Sequence, residues 1–199
     1  IELGAATQIA LHSSTSCALI SSGVVRCWGY DGGGRNHRLG QEEPIEYSSR
    51  PLAVAGLSGA RWMSLNSGGC ATTDHGAQCW GDNSTRNNQS LFHLGSEPVA
   101  LVATDWGTAA RTIDGQIYSW GYNGKGIQAM PITERSGSYG TWHEPHVIEG
   151  FDQALQVRSS GNGTCILNST GSIQCVGGVT RPSLYHLRDA TRVVGLYGD

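Results

Sequence analysis

Charge is scarce in this sequence. Only 15% of its 199 residues are Asp, Glu, Lys or Arg, and the formal net charge is −3. No block of Lys and Arg occurs, so the electrostatic footprint of a phosphate-backbone binder is missing and no nucleic-acid partner is expected. Long apolar runs are absent too. None approaches the roughly 20 residues of a membrane-spanning helix, so membrane insertion is not expected. Catalytic signatures are also lacking: there is no GxSxG, no HExxH, no P-loop, and no GxGxxG between a strand and a helix. Gly32-Gly33-Gly34 precedes no helical pattern and reads as turn punctuation. No CxxC pair is present, and cysteines in separate segments would not converge on one metal ion. An enzyme is therefore not expected, nor a cofactor or a metal.

What is abundant is Gly, at 29 residues, together with six Trp and six Cys. That profile fits many short strands and tight turns. One stretch recurs four times: 17–29 (CALISSGVVRCWG), 70–81 (CATTDHGAQCWG), 109–121 (AARTIDGQIYSWG) and 165–177 (CILNSTGSIQCVG). Each reads as two strands joined by a turn ending in Gly. In the first, third and fourth copies the end positions are ten apart, so the midpoint falls on a residue and an odd loop follows. Ser21-Ser22-Gly23, Ile113-Asp114-Gly115 and Ser169-Thr170-Gly171 fit three-residue loops with a left-handed Gly. The second copy is one residue shorter and predicts a four-residue loop, Thr73-Asp74-His75-Gly76.

First and last positions of each copy then face each other across an antiparallel ladder, where Cα atoms lie about 4.5–5.5 Å apart and a disulfide fits. The expected bridges are Cys17–Cys27, Cys70–Cys79 and Cys165–Cys175. The third copy has Ala109 and Ser119 there, so both partners are missing together. Paired cysteines point to an oxidising, secreted location. Four Asn-x-Ser/Thr sequons, at Asn83, Asn88, Asn162 and Asn168, are candidate glycosylation sites in such a compartment.

A feeder strand precedes each hairpin: 9–11, 62–65, 100–103 and 154–157. A polar, Gly-rich loop follows each: 30–50, 82–97, 122–144, and an insertion at 177–192. Returning strands are expected at 51–57, 98–101, 145–151 and 193–196, the first three led by Pro, which strand starts tolerate. Cys27 and Val25 share one strand face while Trp28, Arg26 and Val24 share the other. Both faces carry apolar groups, as a sheet sandwiched between two others requires. Trp28, Trp80 and Trp120 recur at one repeat position and are expected in the core. The pattern gives four repeats, 1–57, 58–101, 102–151 and 152–199, in a single all-β propeller domain over 1–199.

These residues carry a resemblance to a known family. Cys17-Ala18-Leu19, Gly23, Cys27-Trp28-Gly29, Leu39-Gly40 and 51–57 (PLAVAGL) resemble the regulator-of-chromosome-condensation (RCC1-like) repeat. So do Trp80-Gly81, Asn83, Leu94-Gly95, Trp120-Gly121, Asn123 and Gly126. Val176 in place of Trp, Ala109 and Ser119 in place of Cys, and the long third loop depart from it. The resemblance implies a β-propeller built of four such repeats. Closure as a four-bladed ring, membership of a larger propeller, and completion by a partner chain remain open alternatives.

The cluster Trp142-His143-Glu144-Pro145-His146 reads as loop rather than metal site. Tyr139, Trp142 and His143, in that same insertion, are candidate binding residues, since a loop aromatic can stack on a sugar or anchor a protein contact. The sequence thus points to a non-catalytic extracellular propeller acting as a protein-binding or scaffold module, with a protein partner or larger assembly. A carbohydrate-binding, lectin-like propeller is the alternative. An enzyme inhibitor or an enzyme ranks below both.

Overall fold

Each Cys-to-Gly copy folds as a hairpin in the computed structural model, which describes residues 3–33, 37–43, 45–81, 89–103, 107–122, 141–160 and 163–177. The strands are β2 (Thr15–Ile20) with β3 (Val25–Tyr30), β6 (Gly68–Thr73) with β7 (Gly76–Gly81), β10 (Gly107–Thr112) with β11 (Ile117–Tyr122), and β14 (Gly163–Asn168) with β15 (Ile173–Gly177). In the first, third and fourth hairpins the turn is three residues long and ends on a left-handed Gly: Gly23 at φ 79°, Gly115 at 82°, Gly171 at 77°. Two backbone bonds close each turn. In the first, Gly23 N–H donates to Ile20 O at 2.8 Å and Ile20 N–H to Val24 O at 2.9 Å.

The second hairpin differs from expectation. Thr73 pairs directly with Gly76, so the loop is two residues, Asp74-His75, not four. Thr73 makes the tight turn possible: its Oγ1 accepts the His75 amide at 3.2 Å and so satisfies a donor the ladder leaves over.

The ladders set the predicted cysteines opposite each other. Bridges join Cys17–Cys27, Cys70–Cys79 and Cys165–Cys175 at Cα separations of 4.1, 4.0 and 4.0 Å. Ala109 faces Ser119 at the matching place, and Ser119 Oγ donates to Thr108 O at 3.2 Å.

Every regular element among the described residues is a strand. The first sheet has the order β1-β2-β3-β4, with β1 at Ala6–His12 and β4 at Tyr47–Ala53. The second is β5-β6-β7-β8, with β5 at Trp62–Leu65 and β8 at Gln89–Phe92. The third is β12-β11-β10-β9, with β9 at Pro98–Ala103 and β12 at Thr141–Val147. The fourth is β13-β14-β15, with β13 at Ala154–Ser160. All pairings are antiparallel. The returning strand expected at 193–196 lies outside the described residues.

Three expectations about the outer strands are corrected. Residues 98–101 do not return separately from the feeder at 100–103; both belong to β9, so the junction drawn between 101 and 102 falls inside a strand. Pro98 is its first residue, where no ladder donor is needed. The outer strand of the second sheet is instead β8, inside the segment read as a polar loop. Its alternation is only a few residues long, with Leu91 exposed and Phe92 buried, too short to stand out beside the surrounding Asn, Gln and Ser.

The third correction concerns 141–144. These residues are not loop but the first half of β12. The sequence hides this because Pro145 interrupts the pattern. The ladder absorbs it by a register shift: Ser119 faces His146 while Gly121 faces Trp142, leaving extra residues of β12 unpaired. The first sheet uses the same device around Pro51, where Cys27 faces Leu52 and Gly29 faces Ser48.

The chain divides into two compact units, Ile1–His93 and Leu94–Asp199. In the first unit, Cys17, Leu19, Val25 and Cys27 of sheet one share a core with Met63, Leu65, Ala71 and Trp80 of sheet two. Gln8 stitches the two sheets at their first strands. Its Nε2 donates to Met63 O at 2.7 Å, and Met63 N–H donates to its Oε1 at 2.9 Å. In the second unit, Ala109 and Ile117 of sheet three meet Val157, Ile166 and Val176 of sheet four, with Ile148 and Phe151 filling between.

Candidate functional site

The register makes positions comparable from sheet to sheet. Ile9 faces Ala18, Met63 faces Ala71, Leu101 faces Ala110, and Val157 faces Ile166. One step along, Ser16 faces Trp28, Gly69 faces Trp80, Thr108 faces Trp120, and Thr164 faces Val176. The first-strand residue and the Trp (or Val) therefore lie on one face of each sheet, opposite the face that carries the bridge.

Within each unit that face is half of a core. In sheet two Met63 is 1% exposed and Trp80 1%; in sheet four Val157 is 1% exposed. The Trp80 ring lies across Gly69, where an added Cβ would come within 2.1 Å of it, and its Nε1–H donates to Arg38 O at 3.0 Å. Leu101 and Trp120 of sheet three are buried as well.

Sheet one breaks the series. Ile9 is 68% exposed and Leu11, which faces Ser16 beside Trp28, is 70% exposed. Trp28, expected in the core, is only half-buried. The Ile9 position is aliphatic or Met in all four sheets, as Met63, Leu101 and Val157 show; what differs is that Ile9 and Leu11 stand exposed among the described residues. Arg26 is the charged group on this face, opposite Ala18. Burying a large aliphatic side chain is worth about 1.5–3 kcal/mol, so an exposed Ile and Leu beside a half-buried Trp on one surface make a candidate contact face.

Asp31 anchors the long loop that follows the first hairpin. It is fully buried, accepts the Leu39 amide on Oδ1 at 2.6 Å, and donates its own amide to Glu46 O at 2.9 Å. Oδ2 has no hydrogen-bond partner among the described residues. Burial pushes the carboxyl above the usual aspartate range, opposed by the Leu39 amide and by nearby His37. Sequence reading missed this residue. The available signal was its place three residues after Trp28, where the next repeats put Asn83 and Asn123.

An amide suits that pocket better at neutral pH, and the sign follows from linkage. Well below the unfolded aspartate pKa of about 3.9 the carboxyl is protonated in folded and unfolded chains alike and its stabilising contribution is fully present. As pH rises, the unfolded chain ionises first, and stability falls until the folded carboxyl ionises too. Asp31→Asn is expected to remove that fall, so its melting temperature gains on the parent from pH 4 to pH 7. Parallel melting curves across that range check it; a constant difference contradicts it.

The predicted cysteines are brought together in their pairs. Of the sequons, Asn168 lies at the end of β14, while Asn83, Asn88 and Asn162 fall outside the described residues. Tyr139 also falls outside them. Trp142 and His143 lie in β12, a paired strand and not the loop that suggested them for binding; their side chains are outside the described set.

No protein-family model and no curated protein matches the sequence. Solved structures do. Human WBSCR16 superposes with a TM-score of 0.71 at 18% identity, covering 96% of this chain and 54% of that one. Prp20p from Saccharomyces cerevisiae, the yeast RCC1, whose structure is described with its binding to Gsp1p and histones, gives 0.66 at 15% identity, over 85% of this chain and 44% of that one. The ectodomain of the Physcomitrella patens receptor kinase CR4 gives 0.55 at 18%, over 92% and 42%. The chain thus spans about half the length of the structures it matches. At these identities the likeness is one of fold: the chain has the β-propeller repeat fold of RCC1 and WBSCR16.

Proposed function

We propose that this protein is a non-catalytic, extracellular binding module whose contact face is the uncovered side of sheet one. The observation that carries the reading is the exposure of Ile9, whose counterparts Met63, Leu101 and Val157 in the other sheets are buried, with Leu11 exposed beside it where Leu65 of sheet two is buried. The partner is another sheet of the same kind, presenting small aliphatic side chains and a bridge, as Cys17, Leu19, Val25 and Cys27 do toward sheet two. The four repeats then belong to one propeller domain that further repeats complete. The span of about half of each matched structure agrees with that reading. Prp20p, of like fold, binds Gsp1p and histones, which supports a protein partner here. The three bridges support an oxidising location, and a receptor ectodomain of like fold agrees.

The test is site-specific photo-crosslinking. A benzophenone amino acid placed at position 9 or 11 of the secreted chain is expected to cross-link to a polypeptide segment of β-propeller repeat sequence, read by mass spectrometry of the joined peptides. The same probe at Ile113, an exposed hairpin-tip residue, is the control. Ile9→Glu with Leu11→Glu is expected to keep the three bridges and abolish association with the cross-linked partner. Equal cross-linking at positions 9, 11 and 113 sinks the proposal.

A further inference from the structure

We infer that Asn168 is an N-glycosylation site that the β14–β15 turn presents ready-formed; the inference rests on the extracellular reading above. Asn168-Ser169-Thr170 is a sequon at the head of the fourth hairpin. Three donors hold one edge of the Asn168 amide. Thr170 Oγ1 donates to Oδ1 at 2.7 Å, Thr170 N–H at 3.1 Å and Ser172 N–H at 2.9 Å. Nδ2 makes no hydrogen bond among the described residues. The edge that reacts in glycosylation is therefore the one the turn leaves unengaged, and Ser169 and Thr170 beside it are exposed.

The same place in the other three-residue turns is closed. Ile20 and Thr112 occupy it, each donating its amide across the turn as Asn168 does to Ser172 O, and both are buried. Asn168 is half-buried and polar. A sugar there extends from the hairpin tip and displaces no ladder bond, because the turn is closed by main-chain atoms and Oδ1. The Cys165–Cys175 bridge a few residues away ties the same hairpin, and it too needs an oxidising compartment.

The covalent step is a group transfer. Nδ2 forms a bond to C1 of a saccharide carried on a polyprenyl diphosphate. The C1–O bond to the diphosphate breaks, the diphosphate leaves with the bonding pair, and Nδ2 gives up one proton to a base of the transferring enzyme. No oxidant is required.

The experiment is expression of the chain behind a secretory leader in eukaryotic cells, followed by peptide mapping. The peptide containing Asn168 is expected to carry hexosamine-based glycan, to collapse to one mass after endoglycosidase, and to show Asp at 168 after amidase release. Thr170→Ala is expected to abolish occupancy at 168, while Thr170→Ser, which keeps the hydroxyl, retains it. An unmodified Asn168 in a chain whose three bridges have formed overturns this inference and leaves the extracellular reading standing. Failure of the bridges to form in that compartment counts against the extracellular reading instead.

Discussion

Loss of the Cys70–Cys79 bridge is expected to cost about 2–5 kcal/mol, the range for removing a native disulfide from a small oxidised domain. Both sulfurs are fully buried, so Cys70→Ala with Cys79→Ala also leaves a void that neighbouring strands fill only in part. In the chain-entropy picture a loop of this length accounts for about 2–3 kcal/mol. The third sheet allows the converse. Ala109 and Ser119 already face each other in the bridge register, so Ala109→Cys with Ser119→Cys is expected to close a new bridge and raise stability by about 2 kcal/mol. The expected gain is below the full entropic figure because Ser119 Oγ gives up its bond to Thr108 O. Urea midpoints with and without reductant check both changes. The parent's own third sheet, unbridged, is expected to exchange its amide hydrogens ahead of the other three. Slowest exchange there, or an engineered bridge that forms with no shift in midpoint, contradicts the argument.

The bridges and turns were legible because they depend on counting. A period of two and a Gly at the turn fix which residues face each other, and Cys17–Cys27 follows from residue numbers alone. The outer strands were not legible, for a different reason in each case. β8 shows little alternation and sits among Asn and Gln. β12 contains a Pro that a bulge tolerates but a pattern search rejects. In the second hairpin, length alone permits either a four-residue or a two-residue loop, and the Thr73 hydroxyl decides between them. The contact face lies at a further remove. Ile9 and Met63 are both apolar residues on a first strand, and nothing in the letters tells that one is covered and the other bare. Coverage depends on which sheets lie beside which, information that no single repeat contains.

Gly29→Ala is expected to destabilise the first unit far more than Gly59→Ala, and the reason is geometric. Gly29 sits at φ 105°, in a region that costs an L-residue about 1–3 kcal/mol. An added Cβ would also lie 2.2 Å from Ser14 O. That oxygen accepts the Tyr30 amide at 3.0 Å, so moving it away breaks a bond and leaves a donor unpaired, about 1–3 kcal/mol more. The requirement belongs to the repeat, since Gly81, Gly121 and Gly177 follow Trp80, Trp120 and Val176 and also have positive φ. In sheets one and three the turn of the chain at this Gly coincides with the register shift that accommodates Pro51 and Pro145. Gly59 separates the two contributions. It has φ 65° and no atom within 4 Å of its Cβ position, so Gly59→Ala bears only the left-handed penalty of about 1–2 kcal/mol. Urea unfolding of both variants, read at constant slope, is expected to place Gly29→Ala well below Gly59→Ala. Equal midpoints would mean that the Ser14 carbonyl yields without loss, and that backbone conformation alone sets the demand for Gly after each Trp.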